Sequence, residues 1–169
     1  TVRRPPSHDV GCAQIVAPAG TIDSTADVTP ACSLYNYGTT AETYRVRLKV
    51  GSFYDDTAQV TGHASGTMAY ATFPSLSTWP RGTFAVTCST ELASDTAPFN
   101  DRTSGSVTVR VRDVACLSVT VPPDTVDSGT IVTPACSVYN YGTAPDTYLV
   151  RMRIGSFYSD SATVTAHPA

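Results

Sequence analysis

The most reactive side chains in this sequence are five cysteines, Cys12, Cys32, Cys88, Cys116 and Cys136. No two stand in a Cys-x-x-Cys spacing, so zinc-ribbon and thioredoxin-type chemistry are excluded. What remains is disulfide formation in an oxidising compartment or burial as free thiols. The composition looks secreted and favours disulfides. Cys12 and Cys32 are symmetric about Ile22. If the first two strands form a hairpin about that centre, the two cysteines face each other. Opposed β-carbons lie roughly 4.5–5.5 Å apart, close to what a bridge needs. Cys116 and Cys136 repeat the spacing. The rival pairing is Cys32 with Cys88, which matches the second-to-sixth-strand bridge of antibody domains. Both stay open. The hairpin pairing is favoured because it works twice, giving predicted disulfides Cys12–Cys32 and Cys116–Cys136 with Cys88 buried and unpaired.

Other chemistry is thin. Gly62-His63-Ala64-Ser65-Gly66 has the letters of a nucleophile elbow but not its Gly-x-Ser-x-Gly spacing, and no strand-to-helix turn follows. His63 recurs as His167, yet neither has an evident partner to orient it as a base. The histidines and cysteines show no metal spacing. Asp23, Asp27, Asp55 and Asp56 could gather at loops around calcium, but Ile131 and Ser159 stand where a second such site would need Asp27 and Asp55. Solvated turn aspartates are the plainer reading. Trp79 with Tyr35, Tyr37 and Tyr54 could offer aromatic faces to a sugar ring, against the plainer reading of packing at the rim of a core. No catalytic residue, cofactor or metal is assigned.

The elements that carry these residues come from a repeat. Residues 9–63 and 113–167 align without a gap at an offset of 104, with about 31 of 55 positions identical. Within each copy the hydrophobic period is two, and turns recur every eight to twelve residues. Tyr44, Val46, Leu48 and Val50 alternate on one face of a strand, as do Val28, Pro30, Cys32 and Leu34. Strands are predicted at 10–16, 28–34, 44–50, 53–60, 67–73, 84–88 and 107–111. The breaks between them carry Asn36-Tyr37-Gly38, Gly51-Ser52, Gly62, Pro80-Arg81-Gly82 and Asn100-Asp101. Ser and Thr make up about a quarter of the chain, a mix poor for helices. The expected fold class is all-β: tandem immunoglobulin-like antiparallel sandwiches, the second incomplete.

Residues 9–112 form the complete copy and 113–169 the first part of another. Residues 1–8 read as a linker or the end of a preceding repeat, because Thr1-Val2-Arg3 echoes Thr108-Val109-Arg110. No Gly/Ser linker separates the copies, so neighbours are expected to be held closely, as a fairly stiff rod. The chain opens at Thr1 without a signal-peptide pattern and reads as a processed product or excerpt. The second copy lacks counterparts of residues 66–112. Either a longer array continues it, or a neighbouring chain completes it.

The stretch from Thr29 to Gly38 (TPACSLYNYG), then Thr43-Tyr44-Arg45-Val46-Arg47-Leu48, Arg81-Gly82-Thr83-Phe84 and Asn100-Asp101, together resemble the bacterial cell-adhesion-related domain. That family is an immunoglobulin-like sandwich found in tandem in surface proteins. Its pattern has an Asn-x-Gly turn after the second strand, a Gly-x-aromatic start to the sixth, and Asn-rich residues before the last. The cysteines depart from the pattern. The resemblance implies an extracellular structural or adhesive role and supplies no catalytic residues.

The net charge of −3 has no basic patch, which excludes a nucleic-acid footprint, and no apolar run is long enough to span a bilayer. The sequence therefore reads as a non-enzymatic, extracellular or cell-surface structural or adhesive module. Its expected partners are neighbouring repeats or identical subunits in a filament or array, with surface glycans as a further candidate. The alternative is a carbohydrate-binding module of a larger secreted enzyme.

Overall fold

A computed structural model describes residues 6–122 and 124–169. The echo of Thr1-Val2-Arg3 lies outside the described residues. The chain divides into two compact units, residues 1–109 and 110–169. Every described regular element is a β-strand.

The first unit has eight strands: β1 (Val10–Ala17), β2 (Gly20–Asp23), β3 (Ala31–Asn36), β4 (Glu42–Val50), β5 (Tyr54–His63), β6 (Met68–Thr72), β7 (Gly82–Glu91) and β8 (Arg102–Arg110). They form a three-stranded sheet in the order β1-β3-β6 and a five-stranded sheet in the order β2-β8-β7-β4-β5. The alternation read from the sequence places one face of each strand inward. In β4 the side chains of Tyr44, Val46, Leu48 and Val50 are buried while Arg45, Arg47 and Lys49 face solvent. Val86 and Cys88 of β7 and Val107 and Val109 of β8 complete the core from the same sheet. Val10, Cys32, Leu34, Ala71 and Phe73 close it from the other side.

The strand β2 was not expected. The sequence reading put a turn there, centred on Ile22. Pro18, which has no N–H to give the ladder, follows the last residue of β1. Beyond it the chain leaves β3 and joins the other sheet beside β8. Next to that connection Ala17 already pairs with Ala31, symmetric about Ser24, and the register shifts between Ile15 and Ala17 and between Cys12 and Gln14 bring the centre only as far as Asp23 at Cys12. Cys12 faces Leu34, and Cys32 faces Ile15. The expected direct opposition of Cys12 and Cys32 therefore does not occur.

The expected second strand also starts late. Val28 does not enter β3. It forms an isolated bridge with Leu76, giving Val28 N–H to Leu76 C=O at 3.0 Å and Leu76 N–H to Val28 C=O at 2.9 Å.

The second unit holds β9 (Val114–Val121), β10 (Ala135–Asn140), β11 (Asp146–Ile154) and β12 (Tyr158–His167). Each begins and ends 104 residues after β1, β3, β4 and β5 respectively. β9 pairs with β10 and β11 with β12, both antiparallel. The β9–β10 pair repeats the shifted register, so Cys116 faces Val138 and Cys136 faces Val119. The same correction applies to the second expected pair. Burial differs between the units. Phe53 packs edge-on against Phe84 in the first unit, whereas its counterpart Phe157 is 82% exposed.

This contrast predicts unequal costs for equivalent truncations. Leu48→Ala should destabilise the first unit by about 3 kcal/mol, the range of a cavity in a closed core. Met152→Ala, at the matching half-buried position, should cost less than about 1 kcal/mol, because little apolar contact is lost. Amide hydrogen exchange across β4 and β11 in the full chain measures both.

Candidate functional site

Three of the five cysteines meet inside the first unit. Cys12 comes from β1, Cys32 from β3 and Cys88 from β7, so the cluster joins the two sheets. The Cys88 Sγ lies 2.7 Å from that of Cys32 and 3.1 Å from that of Cys12. Cys32 and Cys88 are fully buried, and Cys12 is half-buried. All five cysteines of the chain are free thiols in this structure. Contact with the Cys12 and Cys32 sulfurs, followed by burial, pushes the Cys88 thiol far above its ordinary range, so it stays protonated at neutral pH. Cys88, expected to stand apart from a Cys12–Cys32 bridge, is the member that touches both others. Its inward parity on the sixth expected strand was the signal that could have found this. Cys116 is exposed and Cys136 half-buried in the second unit.

Beside the thiols stands a buried polar corner. The Asn36 side-chain amide donates to the carbonyls of Thr40 at 2.9 Å and His63 at 2.8 Å, while its oxygen accepts the Gly38 N–H at 2.9 Å. The Asp9 carbonyl accepts the N–H groups of both Tyr37 and Gly38. A β-carbon on Gly38 would lie 2.7 Å from the Ser7 carbonyl oxygen and 3.0 Å from the Asp9 nitrogen, which explains why the Asn-x-Gly turn ends in glycine.

His63 joins the same corner. Its Nε2 lies 2.9 Å from the Thr67 carbonyl, which can only accept, so Nε2 carries the hydrogen. Nδ1 is then the acceptor for the Tyr44 hydroxyl at 2.7 Å. Burial, then the three cysteines, push the Tyr44 phenol up, which keeps it a donor. His63 is thus a structural bridge between strands.

The second unit repeats most of these contacts. Asn140 donates to the carbonyls of Ala144 and His167 and accepts from Gly142, and Tyr148 meets His167. The tilted ring pairs Tyr35–Tyr37 and Tyr139–Tyr141 both have ring centroids 4.6 Å apart. Glu42 beside His8 becomes Asp146 beside Arg112, so a contact from a side-chain nitrogen to this carboxylate survives a double replacement. Burial raises the Glu42 carboxyl, but hydrogen bonds from Thr40 and His8 outweigh it and hold the group below its usual range.

The remaining candidates are placed elsewhere. Trp79 is buried, with its indole N–H shared between the Ala26 and Leu76 carbonyls and its ring edge-on to Phe53. It offers no face to a sugar. The Tyr54 hydroxyl donates to the Pro74 carbonyl at 2.8 Å. Asp55 is bound by Arg47 through two hydrogen bonds, at 2.7 and 2.6 Å, and lies 3.2 Å from the Lys49 Nζ. The Arg47 guanidinium holds the Asp55 carboxyl at about 2. Asp56 accepts the Thr57 N–H. Asp23 accepts the Ala26 N–H through its backbone carbonyl. The four aspartates do not converge on one cation.

No family model matches the chain, and no curated protein matches it. Among solved structures the chain is similar to the CARDB domain of a Pyrococcus furiosus protein. The crystal structure of that domain, in complex with di-metal ions, matches at 14% identity and a TM-score of 0.47, covering 66% of this chain and 98% of that one. Its solution NMR structure matches at 15% identity and a TM-score of 0.47, covering 63% and 97%.

Two measurements follow from this geometry. Asn36→Ala removes the side-chain hydrogen bonds to the Thr40 and His63 carbonyls and from the Gly38 N–H and should cost about 2–3 kcal/mol of first-unit stability, read by denaturant titration. Tyr54 is pushed up to about 12 by burial and then by Asp56, and Tyr44 rises beyond it. Their folded values exceed the ordinary 10.0. Their contribution to stability is therefore complete below pH 10 and lost as pH rises through 12. Phenolate absorbance should show late-titrating tyrosines, with the denaturation midpoint falling across the same window.

Proposed function

We propose that this chain is a stretch of a tandem array of immunoglobulin-like sandwiches, acting as a non-enzymatic structural or adhesive component outside the cell. The observation that carries the reading is the second unit's repetition of four strands, a shifted strand register and a buried Asn–Gly–His corner at one fixed offset. A catalytic domain needs one site; a fold copied with its internal scaffolding supports a role through number and spacing. The sequence resemblance to the cell-adhesion-related domain points the same way. The best-ordered polar groups support it too. Asn36, His63, Tyr44 and Asp55 are all engaged in holding strands together.

On this reading the second unit is an incomplete copy. A recess of about 370 Å³ is lined by Cys136, Val138, Val150, Met152, Tyr158 and Val164. The matching residues of the first unit, Cys32, Leu34, Val46, Leu48, Tyr54 and Val60, belong to or pack against the closed core. Strands equivalent to β6, β7 and β8 would cover that recess, supplied by continuing chain or by identical neighbours. The carbohydrate-binding alternative loses its central residue with the burial of Trp79.

Immunogold electron microscopy on the native source tests the assignment. Labelling of extracellular filaments or a surface layer is expected, and labelling confined to the cell interior overturns it. The incomplete copy has its own check. A fragment of residues 113–169 should be unfolded by circular dichroism and amide dispersion, because the apolar area left to it cannot offset its ordering entropy. A cooperatively folded monomeric fragment would sink that part of the reading.

A further inference from the structure

We propose that Cys12, Cys32 and Cys88 form a thiol-exchange centre in which Cys88 is the common partner of two mutually exclusive disulfides, and the half-buried Cys12 is the thiol that low-molecular-weight disulfides modify first. A bonded pair of sulfurs sits about 2.05 Å apart. From 2.7 and 3.1 Å, either the Cys32–Cys88 or the Cys12–Cys88 bond forms with an approach of about 1 Å or less. Three thiols make one disulfide and leave one thiol over, so the two bonds compete for Cys88.

Access sets the order of events. Cys32 and Cys88 have no exposed surface. Cys12, on β1 of the three-stranded sheet, is the member within reach of solvent. A small oxidant therefore meets Cys12.

The sequence balances with a glutathione-type disulfide as oxidant. The Cys12 thiolate attacks one sulfur of the oxidant. A Cys12–glutathione bond forms, and one glutathione leaves with the proton Cys12 gave up. The Cys88 sulfur then attacks the Cys12 sulfur. The Cys12–Cys88 bond forms, and the second glutathione leaves with the Cys88 proton. Finally the Cys32 sulfur attacks the Cys88 sulfur, forming Cys32–Cys88 and returning Cys12 as a thiol with the proton from Cys32. Two electrons pass from the buried thiols to the oxidant, and Cys12 ends as it began. A small thiol reverses the steps by the same route.

The second unit carries the counterparts of Cys12 and Cys32 as Cys116 and Cys136, and no third cysteine is in its sequence. The place matching Cys88 falls beyond residue 169.

The test uses the full chain with Cys116→Ser and Cys136→Ser, reduced and then exposed to oxidised glutathione. Samples are quenched with acid and alkylating agent, and peptides are mapped by mass spectrometry. Cys12–glutathione should appear first, Cys12–Cys88 next and Cys32–Cys88 last. Adding Cys12→Ser should slow formation of Cys32–Cys88 by at least about tenfold, since the remaining thiols lack access. Adding Cys32→Ser should stop the sequence at Cys12–Cys88. Cys12→Ala serves as a second variant, and unchanged circular dichroism of each variant separates exchange from unfolding. An unchanged oxidation rate in both Cys12 variants overturns the proposal. So does glutathione that remains on Cys12, or a product that is only Cys12–Cys32.

Discussion

The buried side-chain amide of Asn36 holds together the corner on which the first unit depends. One residue ties the end of β3 to the start of β4 through Thr40, to the end of β5 through His63, and to its own turn through Gly38. Buried polar groups are costly without partners, so this arrangement permits few others. With the corner fixed, β3 and β4 leave it into different sheets, and their inward faces oppose each other across the core. The same amide geometry stands in the second unit around Asn140, although far less of that unit's apolar surface is covered. The corner is therefore locally determined, while closure of the core is not.

Closure depends on β7. It is hydrogen-bonded to both β4 and β8, and it brings Val86 and Cys88 against the opposite sheet. The ion pair of Arg45 with Glu91 adds an exposed link between β4 and β7, of small energetic weight at a solvated surface. The cysteine cluster lies where the two sheets approach, so β1, β3 and β7 share a contact made of sulfur atoms.

Much of this fold was legible in the residues. The alternation of Tyr44, Val46, Leu48 and Val50 gave β4 and its buried face, and the repeat gave the second set of strands. The Asn36-Tyr37-Gly38 turn was readable as a turn, but not as a buried amide reaching His63, because partners 27 residues apart leave no local pattern. The cysteine register was misread for a definite reason. A hairpin centred on Ile22 assumes that β1 turns straight back into β3, whereas the chain passes Pro18 into β2 beside β8 and Ala17 pairs with Ala31. For Trp79 the plainer reading, packing against the core, matches its burial, but its indole N–H partners, the Ala26 and Leu76 backbone carbonyls, leave no pattern in the residues.

Gly11 carries a consequence for the second unit. Here β1 runs so close to the segment before β8 that a β-carbon on Gly11 would lie 3.0 Å from the Asn100 carbonyl oxygen. The Cys12 N–H donates to that same carbonyl, and the Asn100 amide donates to Asp9. The second copy has Ala115 at the matching place. A methyl group there makes so tight a seat crowded, and its neighbour has to give by a few tenths of an ångström. A segment lying along β9 as residue 100 lies along β1 would stand a few tenths of an ångström further off. The two units share strands and corner, but the latch across this edge has to sit slightly looser in the second.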